Sequence, residues 1–265
     1  MKYIDHHVHT RYSFDSEASI EEYLINGKRM GLQYIIFTDH QDFGTNEKNF
    51  VPLIDYGEYI HTMEKLEKEY QLPIKIGVEI GYEKDHKGEI RSFLNKYPID
   101  FVIASIHYGD GGDFYEGSFF NGMNRRESYG RYFELVLEMV ENFHDYDVVG
   151  HLDYITRYGP FKNRYYEYQE YKDIIDRILK AIIKNNKGIE VNTSGLREKE
   201  GRLYPKVELL ERYKELGGRV ITIGSDAHSS EGYYAGLKEA KGLLKSLGYN
   251  KIYYFENRIG ITIDI

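Results

Sequence analysis

Short apolar runs rich in β-branched residues alternate with longer stretches of helical periodicity along the 265 residues of this chain. That alternation predicts an α/β fold with a parallel sheet. Two further observations point to closure of the sheet into a ring. No linker interrupts the alternation, and each of the seven strand candidates ends in polar side chains. The strand ends of a β/α barrel share one mouth, where polar residues collect. The predicted architecture is a distorted (β/α)7 TIM-like barrel, a single domain over residues 1–265.

The strand candidates are 2–8 (KYIDHHV), 33–38 (QYIIFT), 74–80 (IKIGVEI), 100–106 (DFVIASI), 147–151 (DVVGH), 188–192 (GIEVN) and 219–224 (RVITIG). A last run, 251–255 (KIYYF), is a candidate eighth element. Helical stretches fall at 19–30, 55–70, 126–143, 166–186, 206–216 and 234–246. The first opens with Ser19 and Glu22, the spacing of a capping box. The stretch 166–186 carries Ile174, Ile175, Ile178, Leu179, Ile182 and Ile183 at helical spacing. Gly31, Gly188 and Gly217 stand where helices stop. Residues 81–97 read as a loop with a short helix, and the Gly-rich, aromatic segment 108–125 as a long functional loop after the fourth strand.

Composition narrows the function. A 41% hydrophobic fraction supplies a core, and no run approaches the ~18 apolar residues of a membrane span. MKYIDHHVHT has no apolar leader segment, which with the absence of cysteine points to the cytoplasm. Without cysteine, any metal site must be built from histidine and carboxylate. The net charge of −8, with only Lys28-Arg29 and Arg125-Arg126 as dense basic spots, argues against a nucleic-acid partner.

The chemistry collects at the strand ends. The first strand contributes Asp5, His7 and His9, the second Asp39 and His40, the third Glu79, the fourth His107 and the fifth His151 and Asp153. The sixth ends in Asn192, Thr193 and Ser194, and the seventh in Asp226 and His228. A strand has a side-chain period of 2, so His7 and His9 point the same way, as do Asp226 and His228. Asp15, in the loop after the first strand, can reach over the mouth. Six of the ten histidines lie at or just past a strand end. Imidazole and carboxylate donors in this number suit Zn, Mn or Fe. His6 faces away from His7 and His9 and reads as packed, while His61, His86 and His144 read as surface residues.

The motifs DHHVHT, FTDH, GVEI, ASIH, GHLD and GSDAH resemble, in order and spacing, those of the PHP (polymerase and histidinol phosphatase) family. The resemblance implies three divalent ions. His7, His9, Glu79 and Asp226 would hold the first; Glu79, shared as a bridge, would hold the second with His107 and His151; Asp15, His40 and His228 would hold the third. Many relatives carry histidine at the position of Asp15, and an aspartate there favours harder ions. EVNTSGLR (190–197) resembles a segment of the histidinol-phosphate phosphatases in which an arginine contacts substrate phosphate. That implies Arg197 as a phosphate ligand, with Arg157 as a second candidate.

The implied activity is hydrolysis of a small phosphate monoester, first of all L-histidinol phosphate, in histidine biosynthesis. A hydroxide bridging the first two ions would attack phosphorus in line. The third ion and Arg197 would hold the phosphate oxygens. Asp153 or an ion-held water would protonate the leaving group. Asp5 and Asp39 would orient metal-binding histidines. The loop 108–125 and residues 158–161 would wall the pocket. An enzyme acting on other small phosphate esters or on nucleotide or nucleic-acid ends is the first alternative, and a steep loss of activity with salt would mark the nucleic-acid case. A C–N hydrolase of amidohydrolase type is the second. No membrane contact is expected, and the oligomeric state is left open.

Overall fold

The fold was obtained as a computed structural model that describes residues 4–44, 52–199 and 201–265. Its strands are β1 (Ile35–Phe37), β2 (His40–Asp42), β3 (Ile74–Gly81), β4 (Phe101–Ser105), β5 (Tyr108–Gly109), β6 (Gly112–Asp113), β7 (Val148–Val149), β8 (Gly188–Asn192), β9 (Ile221–Gly224), β10 (Lys251–Glu256) and β11 (Ile259–Asp264). Its helices are α1 (Ile20–Met30), α2 (Tyr56–Tyr70), α3 (Lys87–Lys96), α4 (Arg125–Asn142), α5 (Ile155–Tyr158), α6 (Lys172–Lys184), α7 (Val207–Glu215) and α8 (Leu237–Ser246).

A curled sheet runs in the order β1-β3-β4-β7-β8-β9, with β2 also paired to β3. Every pairing in it is parallel. Strands of this sheet are largely buried, as helix-covered parallel strands are; β4 (FVIAS) and β9 (ITIG) are buried at every position. The N-terminal segment closes the gap between β9 and β1. His6 N–H donates to the Ile223 carbonyl at 3.1 Å and His9 N–H to the Ala227 carbonyl at 2.8 Å. On the other side Thr38 N–H donates to the Val8 carbonyl at 2.9 Å. The molecule is thus a distorted TIM-like barrel.

The expected first strand takes a different form. Residues 2 and 3 lie outside the described residues, and 4–9 make one parallel bridge, Val8 to Ala227, rather than a regular ladder. Side-chain bonds replace ladder bonds here. Asp5 accepts from the Ser225 N–H (2.8 Å) and hydroxyl (2.5 Å) and from the Tyr234 N–H (3.0 Å).

The run 251–255 is not an eighth strand of the ring. It lies in β10, which pairs antiparallel with β11 through a turn at Asn257 and Arg258. Both turn residues have positive φ, 48° and 64°, the geometry that lets strands return tightly. The gap it would have filled is already occupied by residues 4–9. The hairpin instead covers the end of the barrel where strands begin. Phe255 stacks on Phe101 with ring centroids 5.1 Å apart. The N–H groups of Asn257 and Arg258 donate to Asp100, and the Arg258 guanidinium is 2.6 Å from Asp147. The opposite mouth, where the strands end, opens into a cavity.

Helix ends follow local chemistry. Ser19 caps α1, accepting from Glu22 N–H at 3.4 Å, but its hydroxyl donates to Glu21. Full capping boxes are found instead at Asn124 and Glu127, at the start of α4, and at Glu167 and Glu170, at the 3-10 turn before α6. Gly31 and Gly217 take the left-handed conformation (φ 66° and 96°), whereas Gly188 begins β8 and α6 ends at Lys184. Segment 81–97 resolves into a 3-10 turn at Lys84–His86 followed by α3. Segment 108–125 is anchored: β5 and β6 pair, and Phe114, Phe119 and Phe120 are buried.

Phe255→Ala tests the plug. Loss of this buried ring is expected to lower the unfolding free energy by about 3–5 kcal/mol in urea titrations; a change below about 1 kcal/mol would contradict the assigned packing.

Candidate metal centre

Glu79 projects from the long central strand β3, wholly buried. Its two oxygens are shared out among five imidazoles. Oε2 lies 3.2 Å from His7 Nε2, 3.5 Å from His9 Nε2 and 3.1 Å from His40 Nδ1. Oε1 lies 2.9 Å from His151 Nε2 and 3.3 Å from His107 Nε2, and accepts from the Ser105 hydroxyl at 2.6 Å. The fold explains the meeting. His40 is paired in register with Glu79, and β3 lies between β2 and β4, so strand ends far apart in sequence converge.

Asp226 completes one side, with Oδ1 3.3 Å from His9 Nε2 and 3.7 Å from His7 Nε2. It adopts φ 54°, a left-handed conformation that aspartate tolerates better than most residues, and its N–H donates to the His7 carbonyl at 2.8 Å. Asp15 reaches over the mouth, as its loop position suggested: Oδ2 is 3.0 Å from His228 Nε2 and 3.5 Å from His40 Nε2. All the metal-site candidates from the sequence therefore lie in one cluster. Ligand atoms within 4.8 Å of one another form overlapping groups that could hold metal: His7, His9 and Asp226; His7, Glu79 and His151; His9, His40 and His228; and His40, Asp42 and His107.

The donor atoms fit cations better than hydrogen bonds. His7 Nε2, His9 Nε2, His40 Nδ1 and Glu79 Oε2 are buried without a hydrogen-bond partner, although they face one another. Buried polar atoms are rarely left so without an ion or water to serve them. Several of the imidazoles are fixed through their other nitrogen. His7 Nδ1 is 2.7 Å from Glu190, His107 Nδ1 is 3.0 Å from Asp42 and His9 Nδ1 is 3.0 Å from the Ser13 hydroxyl. Such partners orient metal-binding histidines.

The electrostatics call for positive charge. Burial would raise the Glu79 carboxyl, but His7, His107 and His40 hold it well below the usual carboxylate range. Burial would also depress His7, yet Glu190, Glu79 and Asp226 push it well above the ordinary imidazole value. His9, by contrast, is driven down to about 3 by burial and then by His228 and His40, and so is a neutral donor.

The centre forms the floor of a cavity of about 590 Å³. Arg157 and Arg197 both line it. Arg197 Nη2 donates to the Asp226 carbonyl at 3.0 Å. Arg157 is paired with Glu198 at 2.9 Å and stands 3.6 Å from Asp226 Oδ2. The expected wall residues Tyr108, Asp113, Phe114, Tyr115 and Tyr158 border the cavity, as does Tyr154, whose ring stacks on His151 at 4.0 Å.

Other expected residues lie elsewhere. Asp153 is buried off the cavity lining, accepting from Tyr166 OH and Lys206 N–H, both at 3.1 Å. Burial raises its carboxyl to about 6. Asp5 and Asp39 do not meet an imidazole side chain. Asp5 staples Ser225 and Tyr234, and Asp39 accepts from Thr10, Tyr59 and Ser13, acting on His9 only through the Ser13 hydroxyl. His6 is buried with its ring edge-on to Phe101. Glu190 and Asp42 were missed by reading only strand ends. The signal for Glu190 was a charged residue in the middle of the apolar run GIEVN; for Asp42, it was a carboxylate two residues beyond His40.

Comparison with known proteins agrees with this geometry. The histidinol-phosphatase of Lactococcus lactis subsp. lactis is 34% identical, covering 100% of this chain and 97% of its own length. The probable histidinol-phosphatase of Clostridium acetobutylicum is 34% identical, covering 96% and 97%. The crystal structure of the Lactococcus lactis histidinol phosphate phosphatase with zinc, L-histidinol and phosphate superposes with a TM-score of 0.89 and 32% identity, covering 98% of this chain and 99% of that one. Residues 5–194 match the PHP domain, and the chain belongs to the PHP family.

Proposed function

We propose that this chain is a metal-dependent phosphomonoesterase that hydrolyses L-histidinol phosphate to L-histidinol and phosphate. The observation that carries the reading is the convergence of buried, partnerless donor atoms on Glu79 at the floor of a cavity that also presents two arginines. The similarity to a phosphatase structure holding zinc, L-histidinol and phosphate supports the substrate. Three divalent ions are proposed, with zinc first and manganese or iron as the other candidates. His7, His9, Glu79 and Asp226 would hold one, Glu79, His107 and His151 a second, and Asp15, His40 and His228 a third. Divalent ions held there would acidify water toward neutral pKa and offset charge on phosphoryl oxygens.

The chain's own residues supply the rest. Arg157 and Arg197, whose planar forks suit phosphate oxygens, hold the phosphoryl group against the floor. Tyr154, Tyr158 and Tyr115 form an aromatic wall against which the organic part of the substrate packs. Hydrolysis joins a water oxygen to phosphorus and breaks the bond to the ester oxygen. Asp153 is turned toward Tyr166 and Lys206, so water in the cavity supplies the leaving alkoxide with its proton. No helix among the described residues is long and apolar enough to cross a membrane, and the substrate is a small phosphorylated molecule.

Phosphate release from histidinol phosphate, sugar phosphates, nucleotides, phosphotyrosine and short oligonucleotides, with zinc or manganese and a chelator control, tests the reading. Strong preference for histidinol phosphate, abolished by chelator, is expected. Preference for another ester would overturn the substrate, and C–N hydrolysis without phosphatase activity would overturn the reaction. Glu79→Gln is expected to lower kcat/KM by on the order of 10²–10³ or more, as removal of one preorganised charge-stabilising group does; near wild-type turnover would contradict the role of Glu79.

A further inference from the structure

Glu190 sits in the middle of β8, wholly buried, and meets the centre from below. Its Oε1 is 2.7 Å from His7 Nδ1. Its Oε2 accepts from the His151 backbone N–H at 3.0 Å and from Asn192 Nδ2 at 3.1 Å. His7 and His151 approach different oxygens of Glu79, His7 at Oε2 (3.2 Å) and His151 at Oε1 (2.9 Å), and their rings stack at 5.7 Å. One carboxylate therefore holds the ring of one donor and the backbone of another.

The recess for this carboxylate is made by small neighbours. A Cβ at Gly224 would lie 2.4 Å from Glu190 Oε1 and 2.4 Å from His7 Cβ, so no larger residue fits there. The choice of glutamate also follows from donor count. The side chain faces donors on both arms: the imidazole N–H on one, a backbone N–H and an amide on the other. A carboxylate accepts on both arms, whereas glutamine would turn its NH₂ against a donor on one of them.

We infer that Glu190 is a positioning residue of the metal centre. Through Oε1 it fixes His7 as the Nδ1–H tautomer, with Nε2 directed at Glu79 and Asp226. Through Oε2 it sets the backbone from which His151 reaches Glu79. It thereby ties together the geometries of the first and second ion positions. This role rests on the reading of the cluster as a metal centre.

Zinc binding at buffered free concentrations, compared between wild type and Glu190→Gln, tests it. The variant is expected to need about 10–100-fold more free zinc to half-fill two of the positions, the range found when a histidine's outer partner is removed. Nitrogen-15 spectra of the zinc-loaded wild type give an independent readout should the variant not fold. They are expected to show His7 protonated at Nδ1 and zinc-shifted at Nε2. Identical zinc curves for the two proteins, or a His7 protonated at Nε2, would overturn the role of Glu190 while leaving the metal centre intact. A wild type that takes up no zinc would overturn both.

Discussion

The structure is organised around the burial of one negative charge. Glu79 lies at zero exposure in the longest strand, where an uncompensated carboxylate would cost several kcal/mol. Five imidazoles and a serine hydroxyl surround it, and two further buried carboxylates, Asp226 and Glu190, stand behind them. Imidazoles alone cannot serve every oxygen and nitrogen in that cluster, because several donor atoms are left facing one another without a hydrogen bond. Divalent cations resolve the conflict, since they satisfy carboxylate oxygens and neutral imidazole nitrogens together. The same arrangement that makes the centre costly without metal suits it to cations.

The barrel is what brings these groups together, and its closure is part of the site. The segment carrying His7 and His9 is itself the closing element, bonded to Ile223 and Ala227 on one side and to Thr38 on the other. Any shift in those histidines therefore disturbs the ring, and any opening of the ring displaces the histidines. At the other mouth, the β10–β11 hairpin fills the base with Phe255 and ties down Asp100 and Asp147. The division matches the general logic of barrels, in which the strand C-termini carry chemistry and the opposite end carries stability.

Much of this was legible in the sequence. β8 runs over the residues expected from its apolar pattern, and β1, β3, β4, β7 and β9 each differ from expectation by one to three residues in all, whereas the short polar strand β2 (HQD) was not expected. Residue type and order placed polar side chains at and just past the strand ends of one mouth, and the family resemblance picked out of them the nine positions that converge, leaving aside Asp5, Asp39 and Asp153, whose carboxylates turn elsewhere. What was not legible depends on long-range packing. The run KIYYF has the pattern of any strand, and only the occupied gap between β9 and β1 decides that it becomes a hairpin beneath the barrel. Asp153 follows a metal-site motif, yet its carboxylate turns to Tyr166 and Lys206, partners that sequence position does not reveal. Glu190 and Asp42 act through the far nitrogens of His7 and His107, so their roles appear only once the rings are placed.

The central claim is that Glu79 is shared between cations in a three-ion centre. Anomalous diffraction at the zinc edge from zinc-loaded crystals tests it most directly. The account predicts three peaks, with Glu79 reaching two of them and Asp15, His40 and His228 around the third. A single peak, or peaks beyond the reach of Glu79, would contradict it.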